Sequence, residues 1–314
     1  MTTREQAPCF KSKLWLGALA VIIIHIVGAY SRVGDLLLGC AGLALLRGRI
    51  TDLGGKAFSD ARIEDMRRIL EHWEDEPRFK WEAYWEEVPS AEGYAVKAVT
   101  YDTEANPLID LDNAVMRPLL DRYPPGRALD AACGTGRWSQ YLVQRGHRVT
   151  GVDNSPEMLD VARAKLPSAQ FLEGDLRALP VPDASVDLVV CSLALTYLPE
   201  LDGVFGEFAR VLRRRGQAVV SNIHWLSLML GGITQLRTPS GRSIRLPASP
   251  FALADYINAA ARSGFIIRSC AEVPWSDIPG GHGGATAQQW CPESARAAYV
   301  GTPALAVLQV ELDH

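Results

Sequence analysis

Three acidic residues and a short run of small residues have the types and spacing of a nucleotide-type ligand site. Asp130 is followed by the small-residue loop 131–136, and Asp153 and Asp175 each end a later apolar segment. Glycines in such a loop let the backbone approach a ligand, because a side chain would occupy the ligand's place. A carboxylate at a strand end can accept both hydroxyls of a ribose, and another can accept from the exocyclic amine of adenine. The pattern therefore predicts a site for a ligand with an adenosine moiety.

Alternating strands and helices must position these residues. The candidate strands are 127–130, 147–153, 169–175, 185–192 and 217–223, with helices over 137–145 and from Ser155 onward between them. The segment 185–192 is almost uniformly apolar, as a strand buried on both faces requires. This order predicts an α/β fold with a doubly wound, mostly parallel sheet whose ligands lie across the carboxyl ends of its strands.

The motifs resemble those of class I S-adenosylmethionine-dependent methyltransferases, in the branch that includes ubiquinone and menaquinone biosynthesis (methyltransferase type 11). The matching segments are LDAACGTG at 129–136, GVDNSPEML at 151–159 and EGDLRALPVPDASVD at 173–187. The resemblance covers about residues 95–275. It implies a Rossmann-like methyltransferase fold with seven strands, S-adenosylmethionine as cofactor, and methyl transfer as the reaction.

The resemblance also implies a role for individual residues. Asp130 and the glycine-loop residues Ala132, Gly134, Thr135, Gly136 and Arg137 hold the methionine portion of the cofactor, and Asp153 binds its ribose. Asn154 and Met158 line the adenosine pocket, Gly174, Asp175 and Leu176 flank the adenine, and Ser192 and Leu193 face the sulfonium.

One position departs from the family pattern, because Ala132 stands where the first glycine of the loop is usual. Alanine costs little there unless the backbone needs a positive φ, so we expect cofactor binding to survive. A dinucleotide-binding dehydrogenase is the alternative with a similar order of elements. The sequence lacks a Gly-x-Gly-x-x-Gly motif, and Gly174-Asp175 has no task in a nicotinamide site.

The acceptor side of the reaction has weaker signals. The candidate catalytic residues are His224, as a general base just past a strand end, and Tyr197, while Tyr94, Tyr101 and Trp225 are candidate substrate contacts. The alternatives are that His224 hydrogen-bonds a loop carbonyl and that Tyr197 only packs against the cofactor. A Gly-, Pro- and Ser-rich stretch near 225–250 predicts a substrate cover.

The amino-terminal part has a different character. We divide the chain into an apolar helical extension (1–58), a helical lead segment (59–104) and the methyltransferase domain (105–314). Segment 14–30 has no charged side chain, and 33–46 is a second apolar stretch. Residues 14–46 therefore predict a buried helix on the domain, homo-oligomerisation or membrane association, with a secretory signal as a further alternative.

Composition narrows the classes of function. The formal charge of −4, from 36 acidic and 32 basic residues without a basic stripe, disfavours a nucleic-acid substrate. The six scattered cysteines fit reduced cytoplasmic thiols and show no metal-ligand spacing. The sequence thus predicts a cytoplasmic enzyme that methylates oxygen, nitrogen or an activated carbon of a small apolar or aromatic metabolite, in secondary or quinone-like metabolism. The alternatives are a non-methylating reaction on the same fold and a membrane-tethered binding module.

Overall fold

A computed structural model describes residues 29–51, 54–80, 82–276, 287 and 289–313. Its elements, in chain order, are β1 (Ala29–Arg32), α1 (Val33–Gly48), α2 (Lys56–Glu71), β2 (Glu82–Glu87), α3 (Ser90–Lys97), α4 (Pro107–Leu120), β3 (Arg127–Ala131), α5 (Arg137–Gln144), β4 (Arg148–Asp153), α6 (Pro156–Lys165), β5 (Gln170–Glu173), β6 (Val186–Ser192), α7 (Asp202–Val211), β7 (Leu212–Ile223), α8 (Trp225–Met229), β8 (Gln235–Arg237), β9 (Ser243–Arg245), α9 (Leu253–Arg262), β10 (Phe265–Pro274), α10 (Pro292–Tyr299) and β11 (Pro303–Leu312).

The central sheet has seven strands in the order β10-β11-β7-β6-β3-β4-β5. Strands β3 to β7 are parallel, whereas β11 lies antiparallel to both β7 and β10. The predicted mostly parallel, seven-stranded sheet is thus confirmed. Because β3 lies between β4 and β6 and all three strands run the same way, the segments that follow these strands meet at one edge of the sheet.

Helices cover both faces of this sheet, so the strands that position the site are buried. On one face, Met116 of α4 and Trp138 of α5 pack against Leu188 and Val190 of β6. On the other face, α7 and α9 supply a larger cluster that includes Val204, Phe205, Phe208, Tyr256 and Ala259. The apolar run of β6 is explained by this double coverage, because side chains on both of its faces are withdrawn from water.

A second, four-stranded sheet has the order β1-β2-β9-β8 and departs from the predicted secondary structure. The lead segment 59–104 was predicted to be helical, yet it contains β2. The cover near 225–250 contains α8 and the antiparallel pair β8–β9, and β9 lies parallel to β2 through Glu86 opposite Ile244. The lead segment and the cover are therefore parts of one small sheet, with Val88, Ile244 and Leu246 buried together.

Helices α1, α2 and α10 enclose a satellite core of their own. Its buried members include Leu37, Cys40, Ile69, Phe79 and Cys291. The predicted domain boundary at residue 58 falls inside this core, since α1 lies before it. Most of segment 14–30 lies outside the described residues, and none of the helices in the described ranges has the length and apolar character needed to span a membrane.

Candidate functional site

A cleft opens at the carboxyl ends of β3, β4 and β6, with about 700 Å³ of space not filled by protein atoms when its open mouth is included. The predicted cofactor residues that line it are Ala132, Gly134, Asp153, Asn154, Met158, Gly174, Asp175, Leu176, Ser192 and Leu193. Tyr94, Tyr101 and Tyr197 also line it, together with Ser90, Val152, Ala194 and Leu198. The structure thus brings together residues from every motif found in the sequence.

The glycine loop forms one wall of the cleft and turns sharply into α5. Gly134 and Gly136 have φ values of 52° and 80°, which favour glycine, and a Cβ built on Gly134 would have no protein atom within 4 Å. Ala132 has a φ of 59°, so the backbone at this position does need a positive value. The condition under which alanine is costly is therefore met, because an L-residue in this region costs roughly 1–2 kcal/mol. That cofactor binding survives this cost stays a prediction.

Asp153 ends β4 with its carboxylate anchored at the cleft. The Gly134 N–H donates to Oδ2 at 2.7 Å, and the Ser155 N–H donates to Oδ1 at 2.9 Å. Burial raises the pKa of Asp153, while these backbone hydrogen bonds oppose the shift. Two of the roughly four lone-pair positions of the carboxylate are used, which leaves both oxygens able to accept from a ligand.

Asp175 lines the cleft, but its carboxylate already has a partner. The Arg177 guanidinium donates to both carboxylate oxygens, at 2.9 and 2.7 Å, and the Arg177 N–H donates to Oδ1 at 2.8 Å. These hydrogen bonds lower the pKa of Asp175. A Cβ on Gly174 would come within 2.5 Å of the Pro180 ring, so the preceding glycine is required by packing.

Four of the predicted cofactor residues lie behind the cleft wall: Asp130, Thr135, Gly136 and Arg137 do not line it. Asp130 is buried and accepts a hydrogen bond of 2.6 Å from the Ser139 hydroxyl of α5. Burial raises the pKa of Asp130 to about 6. These residues shape the loop from beneath, which is a supporting position rather than the direct contact that was predicted.

Asp112 of α4 is a site residue that the sequence interpretation missed. It is fully buried, and its Oδ2 accepts from Arg137 at 2.7 Å, Ser192 at 2.7 Å and Trp138 at 3.2 Å, while Oδ1 accepts from the Ser221 hydroxyl. The carboxylate thereby joins α4, α5, β6 and β7 under the cleft. An acidic residue on the inner side of an apolar helix was the available signal.

Three tyrosines form the roof of the cleft. The rings of Tyr94 and Tyr197 meet edge to face at 5.5 Å, and those of Tyr94 and Tyr101 at 6.1 Å. The Tyr94 hydroxyl donates to that of Tyr197, which is also 2.9 Å from Oγ1 of Thr234 in the cover. Burial raises the pKa of Tyr94 and Tyr197, and that of Tyr101 to about 12, so these phenols stay protonated at neutral pH.

His224 and Trp225 are not among the residues that line the cleft, so the structure does not bring these two candidates together with the others. His224 is buried, its Nδ1 accepts from the Leu226 N–H that begins α8, and its Nε2 lies 2.9 Å from Oε1 of Glu272. With both ring nitrogens occupied, this imidazole is placed to cap α8 and not to remove a proton from an acceptor.

Known proteins are similar in sequence to the part of the chain that forms this cleft. A family model described as a methyltransferase domain matches residues 129–220. The malonyl-[acyl-carrier protein] O-methyltransferases of Serratia marcescens and Yersinia pestis are 34% and 33% identical over 133 residues, which cover 42% of this chain and 52% and 49% of those proteins. The chain thus spans about half the length of these curated relatives.

Two solved structures are similar in fold. A chain from a complex that contains the Haloferax volcanii methyltransferase activator Trm112 has a TM-score of 0.55 at 21% identity, covering 71% of this chain and 96% of that one. The DhpI–SAH complex has a TM-score of 0.50 at 21% identity, covering 71% and 94%. The motifs, the strand order and the matched residues together show that the chain contains a methyltransferase domain of the class I S-adenosylmethionine-dependent type.

Proposed function

We propose that the protein binds S-adenosylmethionine in this cleft and transfers the methyl group to oxygen, nitrogen or an activated carbon of a small apolar or aromatic metabolite. The observation that carries the proposal is the joint placement of Asp153 and the glycine loop. Asp153 accepts from the Gly134 N–H, and both residues line the cleft. A ribose acceptor and a wall without side chains therefore face the same space, as an adenosyl ligand requires.

The cleft fits the cofactor on several further points. The remaining lone pairs of the Asp153 carboxylate suit the ribose hydroxyls. Asp175 and Leu176 suit the adenine, and Met158 offers an apolar surface between them. When bound, the cofactor supplies a methyl group already activated by a sulfonium. The protein's tasks are then to align the acceptor, to exclude water and to tolerate positive charge, and the carboxylates and phenol rings of the lining serve these tasks.

The lining also favours an uncharged acceptor. Its ionisable side chains, among the described residues, are Asp153, Asp175 and the three roof tyrosines, with Leu193 and Leu198 as apolar neighbours. The similarity to malonyl-[acyl-carrier protein] O-methyltransferases raises a second candidate, a carboxylate on a carrier-bound thioester. A carboxylate would meet the negative charge of the acids at this cleft, so we place the neutral acceptor first.

A general base is not needed when the nucleophilic atom of the methyl acceptor carries no proton that must be removed before the transfer. The protonated roof phenols can instead donate or accept hydrogen bonds that orient the acceptor toward the methyl group. A small-molecule acceptor and a cytoplasmic location complete the proposal. Because Leu37 and Cys40 are buried in the satellite core, we place α1 there rather than in a membrane.

Calorimetric titration with S-adenosylmethionine and S-adenosylhomocysteine tests the proposal. Asp153→Ala removes the ribose acceptor and the anchor of the Gly134 N–H, so we expect an affinity loss of about 100-fold. Asp160→Ala on the outer side of α6 is the matched control, because Asp160 pairs only with the exposed Arg163. Equal affinity of the Asp153→Ala and native proteins would refute the site.

A screen of metabolites with methyl-labelled cofactor then separates the alternatives. Label in a neutral acceptor supports the preferred reaction, and label in a carrier-bound malonyl carboxylate supports the second. Tight cofactor binding with a reaction that leaves the label on the cofactor would favour a non-methylating enzyme on this fold.

A further inference from the structure

The chain segment before the matched domain supplies part of the cleft. Ser90 and Tyr94 of α3 and Tyr101 in the following turn line it, although the matched domain begins only at residue 129. We call residues 90–104 the flap. Its α3 end is joined to the cover by the hydroxyls of Tyr94, Tyr197 and Thr234. The other end of the flap lies against the glycine loop.

Asp102 makes the contact that holds this other end. Its Oδ1 accepts from the Thr135 hydroxyl at 2.7 Å, and its Oδ2 accepts from the Lys165 ammonium at 2.6 Å. Thr135 lies between the two glycines of the loop and is 1% exposed. Lys165 is the last residue of α6, where a cation is also favoured by the helix dipole. A single carboxylate thus joins the flap to two elements of the cofactor site.

The two contacts differ in strength. The hydroxyl-to-carboxylate distance of 2.7 Å lies within the range of a charge-assisted hydrogen bond, and Thr135 is shielded from water. The Lys165 pair has side-chain exposures of 25% and 39%, so it is weakened by hydration and by salt. The Thr135 contact is therefore the principal one.

We propose that Asp102 is a positioning residue that keeps the flap closed over the adenosyl ligand, through its hydrogen bond with Thr135, and so sets the rate at which that ligand leaves. This inference rests on the proposed function, because it takes the cleft as the cofactor site. Tyr101 directly precedes Asp102 and lines the cleft, so movement of Asp102 away from Thr135 would draw this wall outward.

Release of S-adenosylhomocysteine, measured by stopped-flow fluorescence or surface plasmon resonance, tests the inference. We expect Asp102→Asn, which removes the charge of the acceptor, and the nearly isosteric Thr135→Val, which removes the donor, to release it faster, by up to about tenfold for the loss of one charge-assisted hydrogen bond. Thr135→Ser keeps the hydroxyl and should release it at the native rate. Hydrogen exchange at residues 98–104 of the ligand-bound protein should be faster in Asp102→Asn and Thr135→Val only.

Controls separate this inference from the function on which it rests. Asp160→Asn alters an exposed acid of α6 that pairs with Arg163, and it should change neither the release rate of S-adenosylhomocysteine nor the hydrogen exchange at 98–104. The double variant Asp102→Asn/Thr135→Val should release ligand no faster than the faster of the two single variants, because both substitutions act on the same hydrogen bond. Should Asp102→Asn fail to fold, the Thr135→Val and Thr135→Ser pair still decides the question.

The possible failures are distinguishable. A native protein that does not bind S-adenosylhomocysteine contradicts the proposed function itself. A native protein that binds it, with unchanged release in Asp102→Asn and Thr135→Val, contradicts the flap alone. Faster release without faster hydrogen exchange at 98–104 also overturns the flap, because it would mean that the two residues act on the ligand directly.

Discussion

Acidic residues with similar sequence signals have different surroundings in this fold. Asp153 faces the cleft with two backbone N–H donors, Asp175 faces it in an ion pair with Arg177, and Asp130 lies behind the loop with one hydroxyl donor. The sequence indicated all three because each ends an apolar segment. It did not show which residues pair with Asp112 or Asp102, since their partners Arg137 and Thr135 lie 25 and 33 residues further along the chain.

Asp130 gives a prediction about stability and pH. Its folded-state pKa of about 6 lies above its ordinary value of 3.8, so the folded protein holds this proton to higher pH than the unfolded chain. The associated stability is fully present below about pH 4 and is lost as the pH rises through about 6. Asp130→Asn cannot ionise. Its stability relative to the native protein should therefore rise by about 2 kcal/mol between pH 4 and pH 7.

Urea unfolding of both proteins at several pH values measures this difference. Asp160→Asn, at an acid with 76% side-chain exposure, is the control and should show a difference that varies little with pH. If the difference in unfolding free energy between Asp130→Asn and the native protein does not change with pH, burial does not destabilise the charged form of Asp130.

At the scale of elements, the strands that carry the motifs were predictable and the small sheet was not. The predicted strand 185–192 is observed as β6, Val186–Ser192, and the helix expected after Ser155 begins at Pro156, with the Ser155 hydroxyl accepting from the Met158 N–H. Local signals sufficed in these places. In contrast, β8 and β9 have three residues each, and β9 pairs with β2 across more than 150 residues of chain, which no local pattern encodes.

Helices α1 and α10 offer a prediction at this scale. Arg47 near the end of α1 donates to the Ala297 carbonyl at 2.6 Å and to the Val300 carbonyl at 2.7 Å, at the carboxyl end of α10. Carbonyls in a last helical turn have no partner within the helix, and a cation there also interacts favourably with the negative end of the helix dipole. Arg47→Ala should therefore lower the free energy of unfolding by about 1–3 kcal/mol.

The control for this prediction is Arg47→Lys, which keeps the charge but replaces the guanidinium fork by a single ammonium, so its loss should be intermediate. Neither variant should alter affinity for S-adenosylhomocysteine, since Arg47 is not among the residues that line the cleft. Chemical denaturation and calorimetry give the two readouts. A large loss of affinity with native stability would place Arg47 in the ligand site instead.

At the scale of the whole molecule, the satellite core joins the two ends of the described chain. Leu37, Ala41 and Ala44 of α1 are fully buried, against a cluster that includes Ile69 of α2 and Ala298 of α10. Tyr299 of α10 in turn donates to the Leu230 carbonyl next to α8. The amino-terminal extension is thereby connected through α10 to the cover and to β11 of the central sheet. A sequence boundary drawn where apolar composition changes does not reveal this connection.

Two truncations separate the role of α1 from that of the residues before it. Removal of residues 1–58 deletes α1, and one buried leucine alone is worth about 2–5 kcal/mol. Domains of ordinary stability have about 5–15 kcal/mol in total, so this truncated protein should unfold at much lower urea concentration or aggregate. Removal of residues 1–28 leaves every described element in place, so the difference in urea resistance between the two truncations measures the contribution of the segment that contains α1. If instead the 1–58 truncation is as stable as the native protein, α1 is dispensable to the fold. Membrane association or oligomerisation through residues 14–46 would then be favoured over a role in the core.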